Sequence, residues 1–306
     1  MYDLIVISGA TATGKTAAAV SLAEKINGEI ISADSMQVYK YMDIGTAKPD
    51  KETLSRVKHY MIDECYPDEE FSVSLFAKKS KIYMEEIRAK GKTPILVGGT
   101  GFYINAVLFD TDFTPTDTDY AYRNYLYELA EKKGADCLFE ILEKVDPDSG
   151  IHKNNIKKVV RALEYFHQTN TPISEHNKTQ RAKKSPYSYK FIVLDLPREE
   201  IYKNINARVD KMLEEGLVRE VQTLLGMGYG ASLTSMQGLG YKEIVKYLDG
   251  ASSLSESAEL LKQSTRHFAK RQITWFKHKS PADAVWTAPQ NFTFKKSGGG
   301  PPQCIL

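Results

Sequence analysis

The sequence predicts an α/β fold in which a parallel sheet core, flanked by helices, is interrupted by an inserted all-helical domain. Three observations carry that reading. Short apolar runs alternate with helical stretches over the first third of the chain, the pattern of a doubly wound parallel sheet. A glycine-rich turn joins the first of those runs to the first helix. Strand character then disappears between about Asp110 and Tyr189 and returns at Phe191–Leu196.

Taken in order, Leu4–Ser8 is continuously apolar, as a strand covered on both faces must be. Lys15–Ile26 follows as a helix closed by Asn27 and Gly28, residues that tolerate the left-handed backbone of a helix end. Glu29–Ala33 is the next strand and delivers Asp34 beyond its carboxyl end. Val73–Lys90 reads as a helix stopped by Gly91, and Pro94–Val97 as a third buried strand. Tyr120–Lys132 and Ile156–His167 are the clearest helices of the insertion. After FIVLDL at Phe191–Leu196, a helix is expected from about Arg198 to Glu215. The core is therefore discontinuous, residues 1–110 and 190–286, with the insertion at 111–189. The tail at 287–306, which contains Ser297-Gly-Gly-Gly-Pro-Pro, is expected to be frayed.

Composition narrows the class. Of 306 residues, 42% are hydrophobic and 26% charged, which suits a soluble enzyme and argues against disorder. No apolar run reaches the ~18 residues of a membrane span, and the N-terminus lacks the basic region of a signal peptide. Cys65, Cys137 and Cys304 are odd in number and without metal-ligand spacing, which fits a reducing compartment. A cytoplasmic, monomeric protein is expected. Net charge is only +2, but three acid-free runs are basic. They hold Lys153, Lys157, Lys158 and Arg161; Lys178, Arg181, Lys183, Lys184 and Lys190; and Lys262, Arg266, Lys270, Arg271, Lys277 and Lys279. One such run is ordinarily a solvated face; three together point toward a polyanion partner.

Gly9-Ala10-Thr11-Ala12-Thr13-Gly14-Lys15-Thr16 matches the phosphate-binding loop G-x-x-x-x-G-K-[ST] between a strand and a helix. Such a loop turns successive backbone N–H groups toward one anion at a helix N-terminus. Lys15 supplies a mobile charge, and Thr16 a hydroxyl for Mg²⁺. The core is on this basis P-loop NTPase-like. NTP hydrolysis ordinarily adds an acidic residue at a later strand end. Gly98 and Gly99 stand where that acid is expected, and Asp195, the other candidate, lies in an apolar strand pattern.

Asp34-Ser35-Met36-Gln37-Val38-Tyr39 and Gly98-Gly99-Thr100-Gly101-Phe102-Tyr103 leave strands at the same sheet edge, where ligands of open α/β sheets bind. A carboxylate beside bound phosphates is repelled unless it acts as a base or holds a metal; alone, Asp34 reads equally well as a turn or cap residue.

GATATGKT, DSMQVY, GTAKP, GGTGFY, IKKVVRALE, RVDKMLEEGL, QGLGYKE and TRHFAKRQITWFK occur in that order. The set resembles the tRNA dimethylallyltransferase family, the isopentenyl-tRNA transferases, from Ile5 to about Lys277. Ala10 departs from the proline usual there. The resemblance implies prenyl transfer from dimethylallyl diphosphate to N6 of the adenosine immediately 3′ of the anticodon, with Mg²⁺ near Thr16. It implies that Asp34 is the general base, that Thr100 helps hold the reacting groups, and that Arg208 grips the diphosphate opposite the loop. Ser35, Met36 and Gln37 would contact the target base, and Lys157, Lys158, Val159, Val160, Arg161 and Arg123 the anticodon stem. Phe268 and Trp275 read more as core than as stacking platforms, and QGLGYKE as a loop near RNA or a structural turn. Two rival readings stand beside this one. A P-loop kinase would need ATP, and a non-catalytic RNA-binding protein would not need Asp34 or Thr100.

Overall fold

The computed structural model describes residues 2–111, 113, 119–295 and 303–305. They divide into two compact units, Met1–Leu108 with Pro186–Leu306, and Phe109–Ser185.

The larger unit is built on β1 (Leu4–Gly9), β2 (Gly28–Ser32), β3 (His59–Tyr60), β4 (Thr93–Gly98), β5 (Tyr189–Leu194) and β6 (Val285–Thr287), ordered β3-β2-β4-β1-β5-β6. Every pairing among them is parallel, with Ile5 opposite Ile95 and Val6 opposite Phe191. β1, β2 and β4 are buried along their whole length, which is why they are apolar runs rather than alternating ones. β1 lies between β4 and β5, so the strand order switches direction there, and a crevice opens above it.

α1 (Lys15–Ile26) covers one face through Ala19, Val20, Leu22 and Ala23, which pack on Ile5, Ile7, Ile30, Ile95 and Val97. It ends on Asn27 at φ 55°, the left-handed stop its sequence predicts. α2 (Lys51–Arg56) is a short helix capped by Asp50, and α3 (Val73–Ala89) is capped by Ser72. α4 (Gly101–Leu108) leaves β4.

The smaller unit is wholly helical among its described residues: α5 (Tyr120–Lys133), α6 (Ala135–Val145), α7 (Ile156–Thr169) and α8 (Ile173–Arg181). Leu126, Leu138, Leu142, Val159, Val160 and Leu163 form its core. After β5 the chain returns to helices with α9 (Arg198–Glu214), α10 (Leu217–Gly226), α11 (Tyr241–Leu248) and α12 (Leu254–Lys279). A Ser253–Glu256 capping box starts α12.

Two features differ from the sequence expectation. β3 is too short for any periodicity to register. Thr287, where a frayed tail was expected to begin, instead ends β6, paired with Leu194. A short turn at Pro289–Asn291 follows, then β7 (Thr293–Lys295) pairs antiparallel with β8 (Gln303–Ile305). The Ser297-to-Pro302 stretch lies outside the described residues.

Candidate active site

The phosphate loop is shaped by its backbone. Gly9 has φ 141°, and a Cβ there would stand 2.4 Å from the Leu194 carbonyl oxygen, so only glycine lets β1 turn beside β5. Ala12 and Gly14 are left-handed, at φ 64° and 80°. Ala12 holds that conformation at a cost of order 1 kcal/mol, secured by Asn204, whose amide donates to the Ala12 carbonyl (3.2 Å). Ala10 and Ala12 are buried against Ile201 and Ile205 of α9 and Ala269 of α12. At Ala10 the chain offers its carbonyl, which accepts from the Thr13 hydroxyl (2.8 Å) and from Lys15 Nζ (2.6 Å). Lys15 is thus folded back on its own loop, while Thr16 is exposed at the cavity edge.

The facing wall comes from β2 and β4. Ala33 N–H donates to the Val97 carbonyl (2.7 Å) and Thr100 N–H to the Ala33 carbonyl (3.2 Å). A Cβ on Gly98 would lie 2.1 Å from the Ala33 oxygen. No side chain fits there, so the acid of an NTP-hydrolysing site cannot occupy the end of β4. Asp195 has a different job. Its N–H donates to the Thr287 carbonyl (3.0 Å) and its carboxylate accepts from Leu196 N–H, at the β5–β6 junction. Asp34 Oδ1 accepts from Met36 N–H (2.9 Å), and the Thr100 hydroxyl accepts from Ser35 N–H (3.3 Å). Asp34 and Thr100 are therefore joined through one backbone step.

Arg208, on α9, donates from Nη1 to the Thr11 hydroxyl (3.2 Å), placing a guanidinium on the other side of the loop. Thr11, Gly14, Lys15, Thr16, Asp34, Gln37, Arg208, Phe268 and Gln272 all line one cavity of about 300 Å³. Phe268 is half-buried in that wall, and Trp275 packs against Gly101, where a Cβ would meet its ring at 2.2 Å. Gln272 was not singled out from the sequence. It lies in the TRHFAKRQITWFK run, and only folding shows that its amide reaches both loops.

The charges explain one another. Burial is the largest influence on Asp34 and raises its carboxyl above the usual carboxylate range; the Met36 N–H, Lys15 and Arg208 oppose it. Burial, then Arg208, drives Lys15 down to about 7, with Asp34 opposing. Burial also lowers Arg208. Two cations held close together at some expense make a site that gains when an anion arrives.

Other expected contacts are placed differently. Gln37 spends its amide internally: Nε2 donates to the Thr46 and Ala47 carbonyls (3.3 and 3.2 Å) and Oε1 accepts from Ser32 (2.8 Å). Met36 sits against Gly238, where a Cβ would come within 2.4 Å of its Cε. QGLGYKE contributes to packing through its second half. Tyr241 is fully buried, and its hydroxyl donates to Glu220 (2.7 Å). Glu220 also accepts from the N–H groups of Asp43, Ile44 and Gly45.

In the helical unit, Lys157, Lys158 and Arg161 are exposed on α7. Val159 and Val160 are 0% and 1% exposed, so their side chains hold the helix down and cannot face RNA. Their neighbours in sequence are surface residues because a helix turns about 100° per residue. Arg123 is engaged as well, in a two-point pair with buried Glu164 (2.7 and 3.3 Å).

Fold and site together define a P-loop α/β protein in which the half-buried Asp34 carboxyl, Thr11, Thr16, Lys15 and Arg208 line one cavity, with Thr100 outside that lining and joined to it through Ser35. Comparison with known proteins specifies the family. The model of the IPP transferase family matches residues 37–279, and the chain belongs to that family. It is 55% identical over 294 residues to the tRNA dimethylallyltransferase of Lachnoclostridium phytofermentans, covering 95% of this chain and 93% of that one. A solved tRNA isopentenylpyrophosphate transferase of Bacillus halodurans is 42% identical with a TM-score of 0.68, over 93% of this chain and 89% of that chain. A eukaryotic dimethylallyltransferase solved acting on tRNA is 30% identical with a TM-score of 0.77, over 89% of this chain and 69% of that chain.

Proposed function

We propose that this chain moves a dimethylallyl group from dimethylallyl diphosphate to N6 of the adenosine immediately 3′ of the anticodon in tRNA, releasing diphosphate. The observation that carries the reading is the shared cavity. Asp34, with a raised pKa, opens onto the same space as Lys15, Arg208 and the phosphate loop, so one pocket holds both a base and an anion grip. The names of the relatives and the tRNA-bound neighbour support the choice of substrates.

In the proposed reaction the N6 nitrogen forms a bond to C1 of the prenyl group as the C1–O bond breaks. The bond's electron pair leaves with diphosphate, and the N6 proton passes to Asp34. An exocyclic adenine amine is a weak nucleophile, so a positioned base contributes about 10²–10⁴-fold. The loop N–H groups, Lys15 and Arg208 stabilise the growing charge on the leaving group. Thr100, tied to Ser35, keeps the base's loop against β4. Magnesium would enter with the diphosphate: it prefers a few protein ligands plus phosphate oxygens, and the Thr16 hydroxyl at the cavity edge would serve as one. It would supply further charge neutralisation. Action on tRNA supports a cytoplasmic location. Among the described residues no helix is long and apolar enough to cross a membrane.

The deciding experiment incubates the chain with unmodified tRNA and labelled dimethylallyl diphosphate, without ATP. Label is expected in the RNA, and Asp34→Ala is expected to lower kcat by at least about 10²-fold with tRNA affinity little changed. Phosphoryl transfer from ATP with no label in RNA would favour a kinase; tRNA binding without turnover would favour a pure RNA-binding protein.

A further inference from the structure

Gln272 is the only side chain named at this site whose amide bonds to both catalytic loops. It is 6% exposed and comes from α12, a helix remote in sequence from either loop. Its Oε1 accepts from Thr11 N–H (2.8 Å), in the loop expected to hold the leaving group. Its Nε2 donates to the Gly99 carbonyl (2.9 Å), one residue before Thr100. Gly99 is made for that approach, since a Cβ there would stand 2.2 Å from Nε2. The two bonds use one lone pair and one N–H of the amide, and no other common side chain of that length presents an acceptor and a donor side by side.

Resting on the transferase reading above, we propose that Gln272 is a positioning residue that sets the distance between the departing diphosphate and the attacking amine. The phosphate loop and the Gly99–Thr100 loop leave β1 and β4, neighbouring strands whose ladder ends at Ser8 and Gly98. Beyond that point Gln272 ties the two loops through its two hydrogen bonds. Arg208 meets the same Thr11 through its hydroxyl, so Thr11 is fixed from α9 and α12 at once. Displacement lets a loss of alignment of about 1 Å cost on the order of 10²-fold in rate without weakening either substrate.

The test uses the full chain with tRNA and dimethylallyl diphosphate. Gln272→Met keeps length and volume and removes both bonds; Gln272→Glu keeps the acceptor for Thr11 and loses the donor to Gly99. Both are expected to lower single-turnover rate by about 10–100-fold, with KM for tRNA within about 2-fold and little change in melting temperature. Combined with Thr100→Ala, Gln272→Met is expected to add much less than its separate loss, because both act through one loop. A rate within 2-fold of wild type in both variants overturns the proposal, as does a fully multiplicative loss with Thr100→Ala. If the methionine variant does not fold, the glutamate variant is read by the same criteria. Wild-type chain that transfers no label overturns the transferase reading, and this inference with it; active wild type with unimpaired variants overturns the inference alone.

Discussion

Lys15 shows how a single residue can carry an electrostatic cost in the folded chain. Its ammonium is buried beside Arg208 and held down to about 7, against an ordinary lysine value near 10.4. Between those two pH values the unfolded chain binds more protons than the folded one, so this group's contribution to stability rises with pH above about 7 and is least favourable below it. Lys15→Met is therefore expected to raise the ligand-free unfolding free energy at pH 7 by about 1–2 kcal/mol. Diphosphate affinity should fall by at least about 10-fold. Denaturant melts and calorimetric titration with inorganic diphosphate check both. The sign of Asp34 is opposite in kind. As the proposed base, its raised carboxyl would have to lose a proton first, so the acidic limb of kcat/KM should lie above the usual carboxylate range and vanish in Asp34→Ala.

At the scale of elements, the segment from Asp43 to Pro49 has no regular structure of its own, yet it forms part of the cavity roof through Thr46, Ala47 and Pro49. Glu220, on α10, gathers three of its N–H groups, and the Tyr241 hydroxyl completes the cluster. Burial and Glu220 push that hydroxyl upward in pKa, so it stays a donor throughout the working range. The same loop offers the two carbonyls that hold Gln37. Glu220→Ala strands four donors and is expected to cost about 2–4 kcal/mol, with a lowered kcat/KM because the loop that carries Thr46, Ala47 and Pro49 into the cavity wall loses its anchor. Tyr241→Phe removes one bond and should cost about 1 kcal/mol. Urea unfolding together with steady-state kinetics separates the two.

At the scale of the whole molecule, the cavity and the basic run of α7 lie in different units, while the basic run of α12 shares the unit of the cavity. The cavity belongs entirely to the α/β unit, while Lys157, Lys158 and Arg161 stand on α7 of the helical one. Lys157→Glu with Lys158→Glu is expected to raise KM for tRNA about 10-fold near physiological salt and leave KM for the diphosphate unchanged. The slope of log affinity against log salt should shrink by about 2. Val160→Asp, by contrast, buries a charge in the core of that unit and should unfold it, which circular dichroism would report.

The sequence by itself determined the strand–turn–helix that makes the phosphate loop, the positions of Asp34 and Thr100 at strand ends, and the α/β core with a helical interruption. Those are local properties: apolar runs, glycine at positive φ, a motif with fixed spacing. Residues whose roles depend on distant partners were decided only by the tertiary structure. Gln272 bonds to residues 261 and 173 positions away, and Glu220 to a loop about as remote. Val159 and Val160 turned inward because helix packing, not charge pattern, chooses the buried face. β6 joined the sheet because β5 offered it an open edge. Loop conformation and side-chain pairing across the fold are set by the summed packing of the whole chain, and no window of sequence contains that sum.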